Sequence, residues 1–469
     1  MLFLDCLLLV AAMYWSRKER GPVWAFCISW LICVLPVATG VITYMGADAQ
    51  SAVYTAELAG YMLCFLAGVA LHREYAKPIT YNSTAERNML FLADFRRTLP
   101  IARLCWVGAL VATAAILVDY FLLSGVGLDD LAALRDVVTD RDEATIYAKI
   151  SAVLTWGSIY CYCFAILNRR RLRWISFIVF LSPVSGYFLV AVLSAGRQAS
   201  LQIVIFTILT LVISSARDQR DADVPKKMRK SNQGKGPVIA ATTMTALMFM
   251  YMGYVAVARN DEALSFDKSE VLESLFEFEI SPNVDGLLRQ LGDSARGSVV
   301  EGLVYFSNST AFFSAFLKAD WPNRTYGVMS FPFVFRQIQG FTGVNVRDAL
   351  EEKIKHMNDT GVLGVGWTTA ISSHVMDYGL TGAGIFLFIQ GFFASWAWRR
   401  AIIGTDFHEA MIGIVLAMVC VYTPLLPALS DTNIFIFFSV CVMVRLSRGV
   451  LKMPISPPTD LISLPAIDR

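Results

Sequence analysis

Residues 199–215 read ASLQIVIFTILTLVISS, a run without a single charge, and Arg217, Arg220, Lys226, Lys227, Arg229, Lys230 and Lys235 follow it. An uncharged run of this kind with cations beyond one end is the pattern of a helix that crosses a bilayer and stops at its surface. Only a helix satisfies its own backbone hydrogen bonds in lipid, so the element type follows from the composition. The same reading, carried outward in both directions, finds further runs at 2–15, 22–44, 53–71, 102–123, 148–168, 174–194, 237–257, 375–397, 409–427 and 432–448. With 56% of its 469 residues hydrophobic and only 17% charged, the chain holds more apolar sequence than one water-soluble core can hide. The expected fold class is an all-α polytopic integral membrane protein with about eleven transmembrane helices.

Basic residues then sort the loops. Arg17, Lys18 and Arg20 follow the first run, and Arg73, Lys77, Arg87, Arg96 and Arg97 the third. Arg169, Arg170, Arg171 and Arg173 follow the fifth, the 217–235 cluster the seventh, and Arg399 and Arg400 the ninth. The short loops 45–52 and 428–431 carry no Lys or Arg. The alternation predicts an N-terminus outside and a C-terminal tail inside, beside Arg445, Arg448 and Lys452. The first run has its basic residues after it rather than before it, which fits a first helix and not a cleaved signal peptide. The shorter stretch 303–317, LVYFSNSTAFFSAFL, reads as an interfacial or re-entrant helix of an external loop. The chain divides into 1–257 (eight spans with an external loop at 124–147), an external loop at 258–374, and 375–469 (three spans and a tail).

The external segments are where chemistry is expected. In 124–147, Leu128, Leu131, Leu134 and Val138 recur at near-helical spacing, as in an amphipathic helix on a membrane surface. The loop 258–374 is far too long for a connector. Asp267 and Glu270 read as a cap before the Val271–Phe276 stripe, with Pro282 as its stop. A region rich in Gly, Pro and aromatic residues then runs through Trp321-Pro322-Asn323-Arg324 and Ser330-Phe331-Pro332-Phe333. No P-loop, GxGxxG, HExxH or internal repeat occurs, which argues against an ATP-driven pump or a metalloprotease. The net charge of +2 says nothing about nucleic acid, and no nucleic-acid partner is expected. The nine cysteines all lie in apolar runs, with neither a disulfide framework nor metal-ligand spacing. Asp140-Arg141-Asp142 offers a DxD pair, but the intervening Arg opposes a divalent cation, so no metal is expected.

Cations on the outer side need a reason. Arg197 sits in the turn Ser194-Ala195-Gly196-Arg197, Arg259 where a span leaves the membrane, and Arg324, Arg336 and Arg289 in the long loop. A planar guanidinium fork binds phosphate oxygens bidentately, and snorkelling toward lipid headgroups is the plainer alternative for each. Glu57, Asp119 and Asp377 fall near outer helix ends, and His374 lies three residues before Asp377, on the same helix face. Ionisable groups in spans face a cavity or a partner, which places that cavity near the outer leaflet.

The turn Ser194-Ala195-Gly196-Arg197, the segment Trp321-Pro322-Asn323-Arg324 and the helix start His374-Val375-Met376-Asp377-Tyr378-Gly379-Leu380-Thr381-Gly382 resemble motifs of the Wzy-type O-antigen polymerases. More loosely, the layout of nearly the whole chain is similar to the wider O-antigen polymerase–ligase superfamily. The resemblance implies a GT-C-like helical fold with a large extracytoplasmic loop, in a bacterial inner membrane with the active side periplasmic. It implies polymerisation of undecaprenyl-diphosphate-linked oligosaccharide repeat units without metal or cofactor, alongside a Wzz-type chain-length regulator. Arg197, Arg259, Arg336 and Arg324 would hold the diphosphate, and His374 and Asp377 would orient or deprotonate the acceptor hydroxyl. Trp321, Tyr326 and Trp367 would stack on sugars. An O-antigen ligase would use a similar donor, but its His-Asn pair is replaced here by Thr368-Thr369. A flippase without chemistry would show paired discontinuous helices.

Overall fold

The computed structural model describes residues 2–17, 21–45, 52–76, 84–123, 145–193, 197–220, 278–290, 292–318, 324–343, 345–359 and 369–450. They are mostly helical. In the first half of the chain, α1 (Leu2–Trp15), α2 (Pro22–Ala38), α3 (Ala52–Tyr75) and α4 (Thr84–Leu117) are followed by a π-helical turn at Val118–Leu123. Next come α5 (Ile146–Leu154), α6 (Trp156–Leu167), α7 (Trp174–Leu181), α8 (Pro183–Leu193) and α9 (Arg197–Arg220). In the second half, α10 (Pro282–Gln290), α11 (Asp293–Lys318), α12 (Pro332–Thr342) and α13 (Val346–Asp359) precede the long α14 (Ala370–Ile403). The chain then runs through α15 (Phe407–Tyr422) and α16 (Thr432–Val450). Among the described residues, five helical stretches are long and apolar enough to cross a membrane: Val53–Tyr75, Glu86–Leu122, Ile146–Leu167, Gln198–Arg217 and Ala370–Ile403.

Two apolar cores hold the bundle. One joins α1, α2, α3 and α11 through Leu9, Phe26, Phe65 and Phe313. The other joins α6, α9, α15 and α16 through Phe164, Phe206, Met411 and Phe437. Helix α14 enters both, with Leu387 and Ala394 in the first and Ala397 and Ala401 in the second. Its contact with α3 is backbone to backbone: a Cβ at Gly68 would overlap the Phe388 carbonyl, and one at Gly391 that of Phe65. Lipid tails are as apolar as Leu, so helices in a membrane gain from such close approach rather than from greasy bulk.

Two sequence expectations change, and the helix expected at 303–317 extends. The run 22–44 is not one helix: α2 ends at Ala38, Gly40 turns the chain at φ +68°, and Ile42–Tyr44 forms a strand, β1. It pairs antiparallel with β2 (Phe278–Ile280) in the register Ile42↔Ile280, Thr43↔Glu279 and Tyr44↔Phe278. Pro282 follows β2 and opens α10, where its missing N–H costs nothing, and the helix expected over 267–276 lies outside the described residues. The 303–317 stretch lies inside the 26-residue α11, whose Ser307 bonds its own helix at Leu303 O and the Tyr44 hydroxyl at 2.8 Å. Ser307 does not interrupt this helix, because its hydroxyl is satisfied by those bonds.

The described basic residues that flank the spans meet at one end of the bundle. The Arg73 guanidinium lies over Trp15, and Arg399 reaches Ala76 O. Arg217 donates to Ala401 O and Asp406 O. Arg448 pairs with Asp94 at 2.6 Å and with Asp406 at 3.3 Å, while Arg400 and Arg445 share Glu409.

Candidate functional site

At the opposite end, α14 begins under a side-chain cap, with Thr369 Oγ1 accepting from Ser372 N. It breaks at Gly379, whose φ of +75° and ψ of 175° are open to glycine and strained for other residues. The carbonyls of Met376 and Asp377 have their helical partners across that break, and they accept instead from Thr325 N (3.2 Å) and Tyr326 N (3.3 Å). The 325–330 turn is thereby docked onto a discontinuous helix.

Asp377 completes the docking. Its Oδ1 accepts from Thr325 Oγ1 (2.5 Å) and Met329 N (3.1 Å), and its Oδ2 from Ser330 N (2.8 Å) and Ser330 Oγ (2.5 Å). The carboxylate is fully buried, and these donors replace its lost hydration. Ser330 Oγ also lies 2.8 Å from His374 Nδ1. Since the Ser330 proton goes to the carboxylate, its oxygen accepts from His374, which puts the imidazole proton on Nδ1 and a lone pair on Nε2. The ring packs against Phe386, with centroids 4.1 Å apart.

Positive charge gathers beside this chain of hydrogen bonds. The Arg324 guanidinium covers the bare face of Gly379, where a Cβ would come within 3.0 Å of its Nη2. The second half of α14 starts there, and its first amides carry the positive end of a helix dipole. Lys353 on α13 lies within the field of Asp377; burial pushes its ammonium down to about 8, with the carboxylate opposing.

An apolar slot of about 340 Å³ opens from Ser330, Phe331 and His374 and runs down between α14, α15 and α16 to Arg445. Ile389, Phe393 and Leu446 along it are 45%, 50% and 64% exposed, so its side is open where lipid tails would lie.

The structure therefore brings together His374, Asp377, Arg324 and Tyr326 of the residues expected from sequence. Tyr326 is 75% exposed at φ +49°, its ring free to stack. Arg336 is exposed on α12, whose Phe333 ring meets Phe435 at 5.6 Å, tilted by 48°. Arg197 opens α9 at the same end, where its neighbour Gln198 and Gln202 bond Asp431. Arg259, Trp321, Trp367 and the Asp140-Arg141-Asp142 triplet lie outside the described residues. Sequence reasoning missed Thr325, Ser330 and Lys353 as site residues, since nothing in their local pattern tells which distant carboxylate they meet. Comparison with protein-family profiles, with curated proteins and with solved structures returned no match for this chain.

Proposed function

We propose that the chain is a metal-independent glycosyltransferase that polymerises undecaprenyl-diphosphate-linked repeat units into O-antigen or a similar surface polysaccharide. The reaction takes place at the outer face of the bacterial inner membrane. What carries this reading is the His374–Ser330–Asp377 chain of hydrogen bonds at the mouth of an apolar, side-open slot. A lipid-linked donor needs a groove for its isoprenoid chain, cations at the headgroup and a base above them. His374 supplies the base, Arg324 and Lys353 the cations, and the slot along α14, α15 and α16 the groove.

In the transfer, the acceptor sugar's hydroxyl oxygen forms a bond to the donor's anomeric carbon, and the bond from that carbon to the diphosphate oxygen breaks. His374 Nε2 takes the hydroxyl proton as the new bond forms. The departing diphosphate gains negative charge, which Arg324, Lys353 and the amides after Gly379 would stabilise, with Arg197, Arg259 and Arg336 assisting as the sequence expectation has them. Tyr326, Trp321 and Trp367 would hold sugar faces. Asp377 acts through Ser330 as a positioning residue.

A second reading, a flippase without chemistry, is favoured by one observation, the discontinuous α14. The test is an electrophoretic profile of surface lipopolysaccharide from a strain lacking the gene. A single repeat unit on the core supports the polymerase, bare core supports a ligase or flippase, and an unchanged ladder removes all three. Arg197→Ala, expressed at native level, is expected to shorten the ladder.

A further inference from the structure

We propose that the basic end of the bundle holds the phosphate headgroup of an anionic phospholipid in a pocket between α4 and α7, remote from the His374 site. The pocket encloses about 360 Å³ and is floored by Leu99, Arg103 and Trp106 of α4, with Arg171 and Arg173 of the connection before α7, and Phe180 within α7. Leu99, Arg103 and Trp106 follow one another by four and three residues, so α4 presents them on one face. Trp106 Nε1 donates to Val179 O at 2.8 Å, which ties α7 to α4 and keeps the pocket formed without a ligand.

Its chemistry is one-sided. The lining includes three arginines, one serine and apolar side chains, and no carboxylate. Just behind it, Arg171, Arg87 and Arg217 stand 4.9, 5.4 and 5.4 Å from the centre of the same Phe91 ring. The nearby carboxylate of Asp94 is engaged by Arg448 and Phe407 N. Three arginines along one cavity favour an anion, since a guanidinium offers a phosphate paired N–H donors.

Two features point to a lipid rather than a soluble phosphate. Ile175, in the lining, and its chain neighbour Trp174 are 75% and 72% exposed, which suits acyl chains and not water. Arg103 stands at the boundary between the polar first half of α4 and its apolar run from 102, the depth of the headgroup layer. Snorkelling alone would leave each Arg to find its own lipid, whereas here three of them line a single preformed cavity.

The full chain, purified in detergent, would be examined by native mass spectrometry with phosphatidylglycerol or phosphatidylcholine added. Phosphatidylglycerol is expected to stay bound under activation that strips phosphatidylcholine. Combined Arg103→Ala, Arg171→Ala and Arg173→Ala should cut that retention about tenfold or more. Leu99→Trp, which fills the cavity and keeps every charge, should cut it as well. Arg96→Ala with Arg97→Ala, on the exposed flank of α4, should leave it unchanged. If the triple variant does not fold, Arg173→Ala alone is read in its place. Equal retention of the two lipids, native-like retention in both pocket variants, or thermal stabilisation by inorganic phosphate equal to that by phosphatidylglycerol would overturn the proposal.

Discussion

Asp377 accepts four hydrogen bonds from the 325–330 turn, whereas His374 gives one nitrogen to Ser330 and keeps the other for the slot. Their replacements should therefore fail differently. Asp377→Ala strands buried donors, each on the order of 1–3 kcal/mol, so reduced thermal stability in detergent is expected along with lost polymer. His374→Ala leaves the turn docked by Asp377, and the expected result is protein of near-native melting behaviour with polymerisation lowered at least about a hundredfold. A His374→Ala protein with full activity would remove the imidazole from the mechanism. Lys353 adds a pH signature. Its ammonium titrates near 8 rather than in the usual lysine range, so its charge is present at neutral pH and is lost as pH rises through about 8. Polymerisation in proteoliposomes should fall over that interval, and Lys353→Arg, charged throughout, should carry the alkaline limb upward.

At the scale of elements, the break in α14 is the part most open to test. Gly379 is strained for any side chain, and its missing Cβ is the space that Arg324 occupies. Gly379→Ala is expected to cost about 1–3 kcal/mol in backbone strain and to displace the guanidinium, lowering polymerisation about as far as Arg324→Ala does. A fully active Gly379→Ala enzyme would show that neither the break nor the cation is needed. The sequence showed His374, Asp377 and Gly379 together because they share one helix start. It could not show that Ser330 and Thr325 return to Asp377 across about fifty intervening residues, nor that the aliphatic end of the 22–44 run bends into a strand. In both places the partner that settles the local structure lies far along the chain, and hydrophobicity alone reads a buried strand of three residues as more helix.

For the whole molecule, the apolar runs were legible because lipid imposes one solution on them, and the runs that fall among the described residues coincide with helices at most of their length. Their ends were less so. The first and second helices are shorter than a plain crossing requires, and α4, at about 51 Å by helical rise, is longer. Among the described residues, Arg73, Arg217, Arg399, Arg400, Arg445 and Arg448 gather at one end of the bundle and the His374 site lies at the other. Membrane-impermeant maleimide labelling of single cysteines should therefore mark Glu351→Cys from the periplasm and Arg399→Cys only after the membrane is opened. Labelling of both from one side would break the assignment.

Purified protein in liposomes, supplied with undecaprenyl-diphosphate-linked repeat units and nothing else, tests the central claim directly. The account predicts a ladder of lengthening glycan with undecaprenyl diphosphate released one for one, no dependence on added divalent metal, and loss of both products with His374→Ala. No ladder from the native protein, or an equal ladder from the His374→Ala protein, would contradict it.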